Sequence, residues 1–147
     1  IVDGKRVDLG FVGEVESCNP AILESLITEG YLPVVSPISC DDAGVGYNVN
    51  ADLVAAAIAG AMKAECMLFL TDVDGIYRDF NDQSSLLAKT NLRELSTLKL
   101  SDGMIPKVAA ISTALKSGAQ SVRVCNGTKV DAVLDAFAGE GGTLVSA

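Results

Sequence analysis

An unbroken apolar run at residues 66–71 (CMLFLT) most restricts how this chain can fold. A run of this length without polar alternation is typical of a strand that is covered on both faces. Similar segments alternate along the chain with helical patterns of about 10 to 15 residues, an order that produces right-handed crossovers between parallel strands. The sequence therefore predicts an α/β fold, a three-layer α/β/α sandwich with a mainly parallel sheet, in which residues 1–147 form a single domain.

Helix start and stop signals locate the elements more closely. Asn19 and Pro20 suit the start of a helix and Gly30 its end. The last predicted helix has an apolar stripe that includes Val130 and Leu134. The predicted helices span residues 19–30, 50–64, 91–98, 107–117 and 129–138, the predicted strands span 32–38, 66–71, 121–125 and 143–146, and the longer predicted loops span 39–47, 72–85 and 100–106.

Composition excludes several classes of function. Histidine is absent, so histidine-dependent catalytic triads and histidine-ligated metal sites are excluded within the chain. The four cysteines form no CxxC pair, which favours buried, reduced thiols over a disulfide or zinc framework. The formal net charge of −8 leaves no basic surface for nucleic acid. The longest purely apolar run, at residues 53–62, is too short to span a bilayer, so no membrane partner is expected.

Three polar loops are candidates for the functional site. Ligands of parallel sheets bind beyond the carboxyl ends of the strands, where loops lead into helices. Loops rich in Asn, Asp, Gly and Lys occur at residues 39–52, 71–79 and 100–107, and the first two directly follow predicted strands. The sequence contains neither a Walker A motif nor GxGxxG, so neither a P-loop nor a dinucleotide-binding fold is supported.

The first loop ends in Asn48, Asn50 and Asp52 at a predicted helix start. The two amides and the backbone N–H groups of a helix terminus suit an anionic substrate group. The alternative interpretation is that one asparagine is only an N-cap and that Asp52 complements the helix dipole.

The second and third loops carry charged groups. Asp72 and Asp74 precede a turn at Gly75, where carboxylates either bind Mg²⁺ or ribose hydroxyls, or act only as acceptors within the turn. Lys107 stands at the start of a predicted helix, where a cation is unfavourable by about 0.3–1 kcal/mol. A transferring phosphoryl group or the Asp52 carboxylate would compensate for this cost, and a solvated lysine is the alternative.

Four short motifs carry a resemblance that covers nearly the whole chain. They are DLGFVGEV at residues 8–15, YNVNAD at 47–52, TDVDGIY at 71–77 and GMIPK at 103–107. In this order they resemble the C-terminal, nucleotide-binding half of the amino-acid kinase family, and they are most similar to its acetylglutamate kinases. TDVDGIY is shared more widely, with aspartokinases and glutamate 5-kinases. The resemblance implies ATP-dependent phosphorylation of the side-chain carboxylate of N-acetyl-L-glutamate, a step of arginine biosynthesis.

The resemblance also implies a role for individual residues. Lys107 would stabilise the phosphoryl group during transfer, and Asp52 would orient the catalytic lysines through ion pairs. Asn48 and Asn50 would hold the acetylated amino acid. The ATP site would be formed by Thr71, Asp72, Asp74, Gly75, Ile76, Tyr77, Lys99, Leu100, Ser101 and Gly103.

Cofactors and partners follow from the same resemblance. It implies ATP with Mg²⁺ carried on the phosphates and no metal site of the protein's own. It implies a homo-oligomer, which in plant-type relatives is a hexamer that docks a PII signalling protein, in the cytoplasm or the chloroplast stroma. The phosphate loop, second lysine and substrate-binding arginine of the family's N-terminal half are absent from the chain, so we expect it to be inactive alone.

Two alternatives are left open by the motifs. One is a sister kinase that acts on acetylaminoadipate, aspartate, glutamate or uridylate. The other is a nucleotide-binding interaction domain that does not transfer phosphate.

Overall fold

Helices and strands alternate along the chain in a computed structural model that describes residues 10–99 and 103–147. The helices are α1 (Ala21–Thr28), α2 (Ala51–Ala61), α3 (Leu92–Leu95), α4 (Met104–Ser117) and α5 (Val130–Phe137). The strands are β1 (Ile38–Cys40), β2 (Gly46–Asn48), β3 (Met67–Thr71), β4 (Lys89–Asn91), β5 (Val122–Asn126) and β6 (Thr143–Ser146).

The main sheet has the strand order β3-β5-β6-β4. Strands β3 and β5 are parallel, as are β4 and β6, whereas β5 and β6 are antiparallel. The predicted α/β fold with a mainly parallel sheet is therefore confirmed. The antiparallel pair departs from the crossover pattern because the chain turns back after α5 at glycines 139, 141 and 142, all of which adopt a positive φ.

Helices α2 and α4 run side by side in the same direction on one face of the sheet. Their first turns meet at Asp52 and Lys107, and their ends meet at Gly60 and Ser117. A Cβ added to Gly60 would lie 2.4 Å from the Ser117 Cβ, so the close approach of the two helices depends on glycine at this position. Buried alanines, Ala56, Ala59, Ala110 and Ala114, complete the contact.

The opposite face of the sheet is covered by α5, which packs against β5 and β3. Every residue of β5 is buried, as a strand with helices on both faces requires. The core between the sheet and the α2–α4 pair is formed by aliphatic side chains that include Ile111, Val122 and Val124.

The predicted strand at residues 32–38 is wrong except for its last residue. Leu32 and Val34 are 89% and 92% exposed, and Pro33 and Pro37 have no N–H group to donate to a ladder. The predicted loop at 39–47 instead contains most of an antiparallel hairpin, β1–β2. Its turn is closed by the Asp41 carboxylate, which accepts hydrogen bonds from the backbone N–H groups of Ala43 and Val45.

Other boundaries differ from the predictions for local reasons. Helix α4 begins at Met104 rather than Lys107, because Pro106 lies within the first helical turn, where no N–H donor is needed. Helix α2 ends at Ala61, before Lys63 with its positive φ. Strand β4 was not predicted, since its three residues show no apolar pattern.

On α5, Val130 and Leu134 of the predicted apolar stripe are exposed, and Ala136 is the buried residue. The expectation that the cysteines are buried is wrong for two of them. Of the cysteines, Cys125 is buried, whereas Cys40 and Cys66 are exposed, and all four are free thiols within the described part of the chain. None of the helices among the described residues is long and apolar enough to cross a membrane.

Candidate functional site

Two strand ends and two helix starts meet at one edge of the main sheet. Strands β3 and β5 end together there, with Thr71 paired to Asn126. Since α2 leads into β3 and α4 leads into β5, both helices begin at this edge. This arrangement gathers most of the residues that the sequence predicts for a functional site.

Asp52 and Lys107 form an ion pair at the starts of α2 and α4. The Lys107 Nζ lies 3.3 Å from the Asp52 Oδ2, and the two side chains are 26% and 25% exposed. The ammonium group also lies 5.3 Å from the centre of the Phe69 ring, a distance at which a cation is attracted to the ring face. The carboxylate and the ring together hold this cation at the sheet edge, where it remains accessible from one side.

Asn50 caps helix α2. Its Oδ1 accepts hydrogen bonds from the backbone N–H groups of Asp52, at 2.9 Å, and Leu53, at 3.3 Å. The structure thus supports the capping interpretation for the carbonyl of this amide. Asn48 ends β2. Its backbone carbonyl accepts a hydrogen bond from the Gly13 N–H, and its backbone N–H donates one to the Phe11 carbonyl oxygen. Residue Asn48 is exposed.

A second charged cluster lies where β3 and β5 end. The Asp74 Oδ1 accepts from Lys129 Nζ at 2.7 Å and from Asn126 Nδ2 at 2.8 Å. The hydrogen bond from Lys129, with the one from Asn126, lowers the pKa of the Asp74 carboxyl, so this group is ionised at neutral pH. Asn126 also accepts from the hydroxyl and backbone N–H of Thr128, which fixes its amide.

A cavity of about 260 Å³ opens beside this cluster. Its walls include Asp72, Asp74 and Tyr77 from the predicted ATP loop. Thr71 lies at the end of β3 and donates to the Asp72 carboxylate at 3.1 Å. The cavity is also lined by five residues that the sequence analysis did not select, Val73, Phe80, Gln83, Asn126 and Lys129. Asn126 ends β5 and Lys129 follows it by three residues, at the same edge of the sheet as Asp72, so their position at a strand end could have identified these two.

Gly75 and Ile76 lie in the protein interior rather than in the walls of this cavity. Ile76 is 1% exposed and belongs to the core, and its backbone N–H donates to the Thr143 hydroxyl at 2.8 Å. A Cβ on Gly75 would lie 2.5 Å from the same hydroxyl oxygen. These two residues therefore turn the TDVDGIY loop tightly against Thr143 at the start of β6.

A larger cavity of about 660 Å³ is lined by the segment 78–81 and by residues 97–99. Lys99, another predicted ATP-site residue, is therefore in its wall. Gly103, at the start of α4, is exposed. Leu100 and Ser101, which were also predicted for the ATP site, lie outside the described residues.

The charges at this edge suit the binding of anions. Two helix N-termini contribute partial positive charge, and Lys107 and Lys129 add two ammonium groups. Each ammonium is held by one carboxylate rather than buried by several, so it can still contact a ligand. Strand β3 connects the two charged clusters. Phe69, which contacts Lys107, is two residues from Thr71, which contacts Asp72, and this spacing is about 7 Å along the strand. The two clusters are therefore neighbours.

The sequence pattern of the amino acid kinase family matches residues 1–126. This chain belongs to the amino acid kinase family. The family membership that the four motifs indicated is thereby confirmed. The matched part of this amino acid kinase chain contains Asp52, Lys107 and the TDVDGIY loop, and it ends at Asn126, so Lys129 lies beyond it.

Acetylglutamate kinases are among the relatives of this amino acid kinase chain. The enzyme from Methanocaldococcus jannaschii is 46% identical over 147 residues, which cover 96% of this chain and 49% of that protein. The enzyme from Archaeoglobus fulgidus is 45% identical over 145 residues, which cover 95% of this chain and 50% of that protein. The chain thus spans about half the length of the curated relatives it matches.

Solved structures show the same fold. N-acetylglutamate synthase from Neisseria gonorrhoeae, complexed with coenzyme A and N-acetyl-glutamate, superposes with a TM-score of 0.86 at 23% identity, over all of this chain (100%) and 34% of that one. A Giardia carbamate kinase superposes with a TM-score of 0.67 at 18% identity, over 86% of this chain and 46% of that one. At these identities the likeness establishes the fold alone.

Proposed function

We propose that this chain forms the nucleotide-binding part of an acetylglutamate kinase, which transfers a phosphoryl group from ATP to the side-chain carboxylate of N-acetyl-L-glutamate. The observation that carries the proposal is the 3.3 Å pairing of Lys107 with Asp52 at the starts of two parallel helices, next to a polar cavity. Identities of 45% and 46% to acetylglutamate kinases support this choice of substrate.

The chemistry explains why a paired lysine is needed at this point. Phosphoryl transfer to a carboxylate brings two anions together, and the protein must neutralise charge that spreads over the phosphoryl oxygens. Lys107 provides a cation whose position is set by Asp52 and Phe69. The protein need not form a covalent bond to the phosphoryl group, which is consistent with a chain that contains no histidine.

The nucleotide would lie along the end of β3 in the 260 Å³ cavity. Asp74, ionised and fixed by two donors, has the chemistry to accept hydrogen bonds from ribose hydroxyls. Lys129, whose ammonium is paired with Asp74, would contact a phosphate oxygen. Asp72 would supply a carboxylate to the Mg²⁺ that accompanies ATP, since oxygen ligands are those that Mg²⁺ prefers.

The rest of the active site would come from a polypeptide that completes the length of the relatives. Support comes from residues 10–48, all of which are described and none of which is buried. Leu32 and Val34 are almost fully exposed in this segment. Contiguous exposed apolar side chains of this kind mark surfaces that bind other polypeptide segments. We propose that the missing part of the enzyme packs against them.

The test is a chimera in which this chain replaces the matching half of the M. jannaschii acetylglutamate kinase. We expect the chimera to form ADP from ATP when N-acetyl-L-glutamate is supplied, and this chain alone to form none. Glutamate, aspartate, acetylaminoadipate and uridylate are tested as acceptors in parallel. The proposed substrate is contradicted if one of these is phosphorylated and N-acetyl-L-glutamate is not.

Nucleotide binding is tested separately on the chain itself. Both cavities are lined by its own residues, so titration with ADP in the presence of Mg²⁺ should give saturable heat in a calorimeter. The variant Lys129→Met, which removes the ammonium from the cavity, should bind ADP more weakly. A folded chain that binds no ADP would contradict the nucleotide-binding role.

A further inference from the structure

We propose that Phe80 is the residue on which the nucleobase stacks, an assignment that rests on the proposed nucleotide-binding function. Residues that the family resemblance assigns to the ATP site line two different cavities: Asp72, Asp74 and Tyr77 line the smaller, and Lys99 lines the larger. Of the residues that the structure describes, Phe80 is the one that lies in the wall of both. A nucleotide that contacts both segments must therefore pass along its ring.

The setting of Phe80 is unusual for an aromatic side chain. It is the one apolar residue in the segment 78–85 (RDFNDQSS), and it is 54% exposed. A single exposed apolar side chain needs no special explanation in general. Here, however, the ring stands between two cavities whose other walls are mainly polar, where it offers a flat apolar surface.

The loop that carries Phe80 is held in shape by its own polar groups. The Ser85 hydroxyl accepts from the Asp79 backbone N–H at 3.0 Å and is within 2.8 Å of the Asp79 carbonyl oxygen. The Asp79 carboxylate accepts from the Asn81 backbone N–H at 3.0 Å, on the other side of Phe80. Asp82 accepts from Ser84 in the same way, at 2.9 Å. The backbone on both sides of Phe80 is therefore fixed before any ligand binds.

Tyr77 orients the Phe80 ring. The two ring centres are 6.3 Å apart and the ring planes meet at 87°, an edge-to-face contact that aromatic pairs prefer. Tyr77 itself belongs to the TDVDGIY loop and lines the smaller cavity, so the ring is positioned relative to the predicted ribose and phosphate contacts. A preorganised aromatic ring of this kind loses little conformational freedom when a base stacks on it.

Stacking also predicts how selective the contact is. Every nucleobase has a π face, so an aromatic platform binds bases with little regard to their identity. We therefore expect Phe80 to contribute to the affinity for ADP and for GDP alike, whereas a ligand without a base should not depend on this ring.

The test compares ADP with inorganic triphosphate as probes of the full chain in the presence of Mg²⁺. In Phe80→Ala, the dissociation constant for ADP should rise by about tenfold or more, the range found when stacked aromatic residues are truncated, while that for triphosphate stays unchanged. Phe80→Tyr should restore ADP binding. Phe137→Ala is the matched control, because Phe137 is 77% exposed and lines neither cavity.

A spectroscopic readout is available because the chain contains no tryptophan. In Phe80→Trp, the indole fluorescence should be quenched by ADP and not by triphosphate, and in Phe137→Trp it should respond to neither. The inference is overturned if Phe80→Ala binds ADP as tightly as the parent chain, or if it loses ADP and triphosphate in equal measure. If the parent chain binds no ADP, the proposed function itself fails, and that result differs from both.

Discussion

The Lys107 ammonium lies 3.3 Å from the Asp52 carboxylate, although 55 residues separate them in sequence. The contact exists because α2 and α4 are parallel and their small residues allow the helices to pack closely, from this pair at one end to Gly60 and Ser117 at the other. A cation at a helix start is unfavourable unless an anion compensates for it, and Asp52 is that anion in the described structure. The close packing of the two helices therefore positions the cation that the proposed phosphoryl transfer requires.

Removal of the Lys107 ammonium should abolish most of the catalytic rate. In the chimera with the M. jannaschii enzyme, we expect Lys107→Ala to lower kcat by about 10²–10³-fold, since loss of one preorganised charge-stabilising group at a reacting centre typically costs this much. Lys116→Ala is the control, because Lys116 is exposed in the last turn of the same helix. Unchanged turnover in Lys107→Ala, measured by a coupled ADP assay, would contradict the proposed role.

Close packing of α2 on α4 should make Gly60 intolerant of any side chain. The Cβ in Gly60→Ala would lie 2.4 Å from the Ser117 Cβ, so we expect overpacking to reduce the free energy of unfolding by about 1–3 kcal/mol. Urea denaturation measures this loss. Gly103→Ala serves as the stability control, because no contact within 4 Å of the added Cβ is found among the described residues.

A second substitution separates this clash from other causes. If the clash with Ser117 is responsible, adding Ser117→Gly to Gly60→Ala should recover part of the stability, and a double-mutant cycle gives the coupling between the two sites. Additive effects of the two substitutions would indicate another origin for the loss.

The hydroxyl of Thr143 should be essential for the stability of the TDVDGIY loop. It is buried, accepts from the Ile76 backbone N–H at 2.8 Å and donates to the Leu87 carbonyl oxygen at 2.5 Å. Valine has nearly the same volume as threonine but no hydroxyl, so Thr143→Val leaves both backbone groups without a partner. We expect this to lower the free energy of unfolding by about 1–3 kcal/mol. Thr143→Ser keeps the hydroxyl and should lose less stability in the same urea titration. Equal losses in the two variants would show that the methyl group, not the hydroxyl, matters.

Protonation of Asp74 should destabilise the fold at low pH. Hydrogen bonds from Lys129 and Asn126 lower the pKa of this carboxyl below its usual value of 3.8. A group with a depressed pKa in the folded state contributes stability above the unfolded-state pKa, and this contribution disappears as pH falls through the folded-state pKa. The difference in urea midpoint between the parent chain and Asp74→Asn should therefore be present at neutral pH and shrink in acid.

The same prediction can be tested on the titration itself. In Lys129→Met, which loses the principal hydrogen-bond donor to Asp74, the pKa of this carboxyl should rise toward 3.8 in a carbon-detected NMR titration. An Asp74 that titrates at the same pH with and without the Lys129 ammonium would show that the hydrogen bond in the structure has no such effect.

Local patterns in the sequence predicted most of the elements around the site. The apolar run at 66–71 contains β3, the Asn50 cap stands directly before α2, and the apolar periodicity after Lys107 belongs to α4. These features depend on neighbouring residues only, through side-chain alternation, helix periodicity and capping. The segment 32–38 is the exception, since its apolar composition suggested a strand, but a strand also needs a partner for its backbone groups.

The sequence by itself determined the α/β plan and, through four motifs, the family. The tertiary structure decided which distant charges meet. Asp52 reaches Lys107, and Asp74 reaches Lys129, only because parallel strands end at one edge and the helices there start side by side. Phe80 stands between two cavities for the same reason, as loops distant in sequence close around it. Such contacts depend on strand order and helix spacing, which result from packing of the whole core and leave no signal in a local stretch of residues.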